Sequence, residues 1–176
     1  MPRRSEANAV GNLEKLVTGL PAAEYVMNVT VLYDDAQTRR QAGQLYMKVE
    51  SLLGRNALRG SWWKLADLVQ PGVLAGAVSK AIRSDMIVLA VRSSEGLPLP
   101  FYYWVNAWLP HRRTGTGALV GLLSAPRTYN RESGRLRKYL KTVALRARMD
   151  LLVAESGMEV PTPARSNLRL ENEGRF

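Results

Sequence analysis

The sequence predicts an α/β protein, a three-layer α/β/α sandwich built on a five-stranded parallel sheet, with one additional helix ahead of the first strand. Three observations predict it. Short runs that are apolar nearly throughout alternate with longer segments in which apolar residues recur at three and four, so strands buried on both faces alternate with amphipathic helices. The spacing between successive apolar runs leaves room for a helical crossover, the connection that parallel strands require and that is right-handed. A chain of 176 residues, 46% of them apolar, is long enough to bury a sizeable single core.

Residues 26 to 33, Val-Met-Asn-Val-Thr-Val-Leu-Tyr, form the first strand, and Asp34 and Asp35 end it. From 36 to 53 the residues Ala42, Leu45, Tyr46, Val49, Leu52 and Leu53 lie on one helical face, with Gly54 placed as the stop. Residues 58 to 65, with Trp62 and Trp63, read as a second strand, less regular and nearer an edge. Pro71 suits the first turn of a helix whose apolar face is Leu74, Ala77, Val78, Ala81 and Ile82.

Residues 86 to 91, Met-Ile-Val-Leu-Ala-Val, give the third strand, and Arg92 to Gly96 a polar turn. The segment 98 to 109 places Phe101, Trp104, Val105 and Trp108 at helical spacing, and Pro110 stops it. Residues 118 to 123 form a fourth strand. The helix 130 to 148 follows, with Leu136, Leu140, Val143 and Ala147 on one stripe, and Met149 to Val153 form a fifth strand. Five strands in this pattern suggest the flavodoxin-like order 2-1-3-4-5. After the fifth strand no good helix follows. Residues 157 to 176 read as a polar, disordered tail. Residues 1 to 25 form an N-terminal extension in which Val10, Leu13, Leu16, Val17 and Leu20 make a helical stripe, suited to the sheet face that a fifth helix would otherwise cover. Residues 26 to 156 are the α/β domain.

Composition removes several chemistries. The chain has no Cys, which excludes disulfides, thiolate zinc sites and a Cys nucleophile. Its one histidine, His111, sits beyond Pro110 beside Arg112 and Arg113 and reads as a surface loop residue. No run of eighteen apolar residues marks a membrane span, and the N-terminal stretch lacks an apolar signal core, so a cytoplasmic location is expected. The glycines of Gly115-Thr-Gly117-Ala-Leu-Val-Gly121 lead into a strand rather than from a strand into a helix, so they do not make a dinucleotide loop. A P-loop is absent.

The net charge of +10 is concentrated. Residues 126 to 148 contribute +7, from Arg127, Arg131, Arg135, Arg137, Lys138, Lys141, Arg146 and Arg148 against Glu132. On a helical projection these cations lie opposite the Leu136, Leu140, Val143, Ala147 stripe. A solvated polar face is one reading. Soluble helices usually mix charges to gain i,i+4 pairs, however, so an almost purely basic face points to an acidic protein surface, in a homodimer or another complex, to anionic lipid, or to nucleic acid. Tyr102 and Tyr103 cannot both join the core face of their helix, and they are candidate interface aromatics.

A second candidate site is the carboxyl end of the sheet, where open α/β folds place ligands. The polar residues there are Asp34, Asp35, Arg92, Ser93 and Ser124. Paired carboxylates suit Mg2+. Alternatively Asp35 caps the helix that starts at Ala36, and no cofactor is then needed.

At these residues the chain resembles a response-regulator receiver domain over about residues 26 to 156. The resemblance rests on the element order, on Asp34-Asp35 after the first strand, and on Ser124-Ala125 after the fourth. It implies an acidic pair for Mg2+, a phosphoacceptor Asp ending the third strand, a hydroxyl after the fourth and a Lys after the fifth. The third strand instead ends Val91-Arg92-Ser93-Ser94 and the fifth Ala154-Glu155-Ser156, so the acceptor and the Lys are missing. Phosphoryl transfer needs an in-line nucleophile, which Arg92 cannot be. The expectation is a degenerate, non-enzymatic receiver-like module for signalling or protein interaction. The alternatives are a nucleic-acid-binding protein using the helix 127 to 148, and a small-molecule or nucleotide-binding protein at the strand ends.

Overall fold

A computed structural model describes residues 25 to 92, 96 to 112, 115 to 126 and 131 to 158. The five strands are β1 (Met27–Tyr33), β2 (Leu58–Lys64), β3 (Met86–Arg92), β4 (Ala118–Pro126) and β5 (Asp150–Met158). The four helices are α1 (Ala36–Leu53), α2 (Pro71–Ile82), α3 (Leu99–Trp108) and α4 (Arg131–Ala147). All strand pairs are parallel, in the order β2-β1-β3-β4-β5, which is the expected flavodoxin-like architecture. The N-terminal extension up to residue 24 lies outside the described residues, and so does its proposed helix.

Alternation along β1 divides the core in two. Leu32 joins Ile87, Leu89 and Val91 of β3 beneath α2, α3 and α4, where Phe101, Trp104 and Trp108 are buried. Val29 and Val31 point the other way and pack with Val88, Val120 and the α1 residues Ala42 and Val49. Among the described residues α1 alone forms the second helical layer. The irregular sequence of β2 has a packing reason. A Cβ at Gly60 would lie 2.8 Å from the Tyr46 ring of α1, and one at Gly76 of α2 would lie 2.9 Å from the Trp63 ring, so each glycine makes room for an aromatic at the sheet edge.

β4 and β5 run further than the sequence suggests. Apolarity falls at Ser124 and after Val153, and Glu155-Ser156-Gly157 is turn-like in composition. Pairing of Ser124 with Ser156 and of Pro126 with Met158 carries both strands on. The expected tail from 157 is therefore corrected at its start, since Gly157 and Met158 belong to β5. Parallel pairing overrides local propensity here.

Arg112 ties the opposite, amino-terminal ends of the strands together. Its guanidinium donates to Ser84 O at 2.9 Å, Thr116 O at 3.0 Å and Ala147 O at 3.1 Å. Burial pushes its pKa down, against the opposing effect of Asp85. Gly117 is fitted to this arrangement: its φ is +155°, and a Cβ there would lie 2.6 Å from Asp85 O and 2.5 Å from Arg112 Nη2. Replacing Gly117 by alanine should lower stability by about 2–4 kcal/mol. Gly43 of α1, with no neighbouring atom within 4 Å of an added Cβ, should gain about 0.5–1 kcal/mol from the same change. Urea denaturation of the two variants measures both, and equal effects would show that the crowding at Gly117 is relieved.

Candidate functional site

The carboxyl end of the sheet brings four of the five expected residues together. Parallel register sets Ser124 of β4 beside Arg92 of β3, and the β1–α1 corner supplies the acids. The fifth, Ser93, lies outside the described residues.

Asp35 is the N-cap of α1. Its Oδ1 accepts the backbone N–H groups of Gln37 and Thr38, each at 2.9 Å, and the Thr38 hydroxyl accepts the Asp35 N–H at 2.9 Å, completing a reciprocal capping box. Its Oδ2 is ion-paired with the Arg92 guanidinium. Burial raises the Asp35 pKa, but the Thr38 hydrogen bonds, the Arg92 charge and the Gln37 N–H together outweigh it, and the carboxyl sits below its ordinary value. Asp34 Oδ2 accepts the Arg92 backbone N–H at 2.9 Å. Arg92 thus faces both acids, one through its side chain and one through its main chain.

Ser124 is fully buried, and its hydroxyl donates to Gln41 Oε1 of α1 at 2.8 Å. Sequence reasoning missed Gln41 as a site residue. The signal was there in principle: Thr38 and Gln41 are polar residues adjoining the Ala42, Leu45, Val49 stripe in the first turns of an otherwise amphipathic helix. The donor set fits an ion pair rather than a divalent cation, because Asp35 already uses both oxygens and a guanidinium supplies the positive charge. No group of three or more potential ligating side chains occurs among the described residues.

The second candidate surface is α4. Leu136, Leu140, Val143 and Ala147 are buried, while Arg131, Arg135, Arg137, Lys138, Lys141, Arg146 and the following Arg148 are exposed. Arg127 lies outside the described residues. Arg135 pairs with Glu132, and Arg137 with Glu155 of β5. The remaining five cations have no carboxylate partner among the described residues. Leu145 stands in their midst, 71% exposed. Beyond the end of the helix, Arg112, Arg146 and Arg148 line a hollow of about 340 Å³. Of the two candidate tyrosines, Tyr102 is half-buried and packs edge-on against Tyr139 of α4, whereas Tyr103 is 56% exposed. His111 is exposed and ends a short turn after α3 whose first residue, Leu109, is buried.

The cap makes a prediction about acid stability. Because the Asp35 pKa is lowered on folding, its contribution is fully present above the ordinary carboxyl pKa and is lost as pH falls through the depressed native value. Asp35→Ala should cost about 1–2 kcal/mol at neutral pH. Asp35→Asn retains capping but has no charge to titrate, so its deficit relative to the wild type should shrink below about pH 4. Thermal melts from pH 7 to pH 3 check this, and a constant deficit across that range would contradict it.

No family model and no curated protein matches the chain. Among solved structures, the flavodoxin of Streptococcus pneumonia TIGR4, described as a novel drug target, is similar with a TM-score of 0.52 at 11% identity; the match covers 76% of this chain and 88% of that one. At that identity the likeness is one of fold, and the fold of this chain is flavodoxin-like.

Proposed function

We propose that the protein is a non-enzymatic, receiver-like interaction module that docks an acidic protein surface on the outer face of α4. The observation that carries this reading is the cluster of Lys138, Lys141 and Leu145 on α4 with Arg148 just after it. Lys138, Lys141 and Leu145, at spacings of three and four, share one face of the helix, and Arg148 follows just past its end; among the described residues none of these three cations has a carboxylate partner, and the leucine beside them is exposed. Cations alone would serve a phosphate backbone equally well. A leucine at their centre adds apolar area that a protein partner can bury and a phosphodiester chain cannot, and protein interfaces combine such an apolar centre with a charged rim. Two copies meeting through this face would set cation against cation, so it suits a different, acidic chain better than a homodimer.

The strand-end residues support a module without phosphotransfer. Where a receiver domain carries its acceptor Asp, β3 ends in Arg92, whose side chain and main chain are both bonded to the acidic pair. Incubation with acetyl phosphate and Mg2+ should leave the intact mass unchanged. Addition of one phosphoryl group would overturn this part of the reading.

The docking face is tested by fluorescence anisotropy with an amphipathic peptide carrying glutamates and leucines, and with a DNA duplex of similar charge. The peptide should bind more tightly at physiological salt. Lys138→Glu with Lys141→Glu should weaken peptide binding at least about tenfold, and Leu145→Ala about threefold or more. Tighter duplex binding, falling steeply with salt and indifferent to Leu145→Ala, would favour the nucleic-acid reading instead.

A further inference from the structure

A cavity of about 230 Å³ opens between the edge strand β2, its neighbour β1 and the last turn of α2, at the amino-terminal end of the sheet and away from both surfaces described above. It is polar where a sheet-to-helix contact is ordinarily apolar. Thr30 and Ser84 are fully buried, with 0% and 1% exposure, and their hydroxyls lie 2.6 Å apart; Ser61 of β2 extends the row, 3.1 Å from Thr30.

The direction of this row follows from counting protons. Ser84 donates to the carbonyl of Lys80 at 2.9 Å, so it accepts from Thr30, and the Ser61 proton has two inward acceptors, the Thr30 hydroxyl at 3.1 Å and the Val29 carbonyl at 3.5 Å. Every hydroxyl proton points inward, and the open end of the row presents the lone pairs of Ser61. Around the same cavity stand Arg59, Lys80 and Arg83, and none of them has a carboxylate partner among the described residues. Lys80 and Arg83 complement the dipole at the carboxyl end of α2. Arg59 has no such role, because it comes from β2, across the cavity. Asp85, the neighbour of Ser84, is engaged by the Tyr25 hydroxyl and the Asn28 backbone N–H.

We infer that this cavity is a binding site for a compact phosphorylated polyol. The anionic group would be held by Arg59, Lys80 and Arg83, and a ligand hydroxyl would donate to Ser61. A volume below the usual range for drug-sized ligands restricts the occupant to a short-chain molecule. Arg59 borders the cavity from β2 and Lys80 and Arg83 border it from the end of α2, so positive charge flanks it from two elements.

Isothermal titration of the full chain at fixed ionic strength, with glycerol 3-phosphate, inorganic phosphate and glycerol as probes, tests the site. Glycerol 3-phosphate should bind saturably and more tightly than either of the others. Arg59→Gln or Arg83→Gln should weaken it about tenfold. Ser61→Ala should remove the advantage over inorganic phosphate without weakening phosphate itself, while Arg135→Gln, on α4, should change nothing. Circular dichroism of each variant confirms its fold. Absence of saturable binding, or binding that Arg59→Gln and Ser61→Ala leave intact, would overturn the site; equal binding of phosphate and glycerol 3-phosphate would overturn the polyol assignment.

Discussion

One guanidinium organises the lower half of the molecule. Arg112 holds the carbonyls of Ser84, Thr116 and Ala147, which lie two or three residues ahead of β3, β4 and β5. Two of these carbonyls lie at or just beyond helix ends, where backbone acceptors are otherwise left without partners. A planar fork with donors on three nitrogens can reach three separated acceptors at once, and an ammonium on a flexible stem could not hold the same geometry. The backbone continues the tie: Asp85 N–H reaches Asn28 O, Ala118 N–H reaches Asp85 O, and Asp150 N–H reaches Gly117 O. Four strands are thereby started level with one another.

With the strands fixed from below, their upper ends are free to differ from the usual pattern of the fold. Open α/β sheets place ligands at the carboxyl ends of their strands. In this chain that end is filled by the protein's own bonds, with the Asp35 carboxylate divided between a helix cap and Arg92, and with Ser124 turned to Gln41. Among the described residues, cations with no carboxylate partner stand on the outer face of α4 and around the cavity beside α2. Shared architecture therefore says little about where this molecule works, and the distribution of unpaired charge says more.

Legibility in the sequence followed the range of the interactions. β1, β3 and the first part of β4 were readable because burial on both faces demands apolarity at every position. The Asp35 cap was readable because its partners lie two and three residues away. The ends of β4 and β5 were not, since their pairing is set by a neighbouring strand over residues that are turn-like in isolation. Arg112 was not singled out in the sequence, since two of its three acceptors lie 28 and 35 residues distant. Gln41 and the hydroxyl row of Ser61, Thr30 and Ser84 likewise depend on segments that meet only after folding. The basic face of α4 was visible at once, because a helix displays its charge pattern locally.

The four tryptophans are unevenly shared between the two halves of the core. Trp62 lies on the α1 side beside Tyr46, whereas Trp63, Trp104 and Trp108 lie on the side of α2, α3 and α4. Trp104 and Trp108 have ring centroids 5.5 Å apart, and neither indole N–H has a partner among the described residues. Indoles so enclosed emit at short wavelength and couple excitonically, so the intrinsic fluorescence and near-ultraviolet circular dichroism of this chain are dominated by one layer, with Trp62 reporting on the other. Loosening of α1 reaches these signals through Trp62 alone, which loses its contact with Tyr46, while Trp63, Trp104 and Trp108 keep theirs. The molecule carries its own means of telling the separation of one layer from the collapse of the whole.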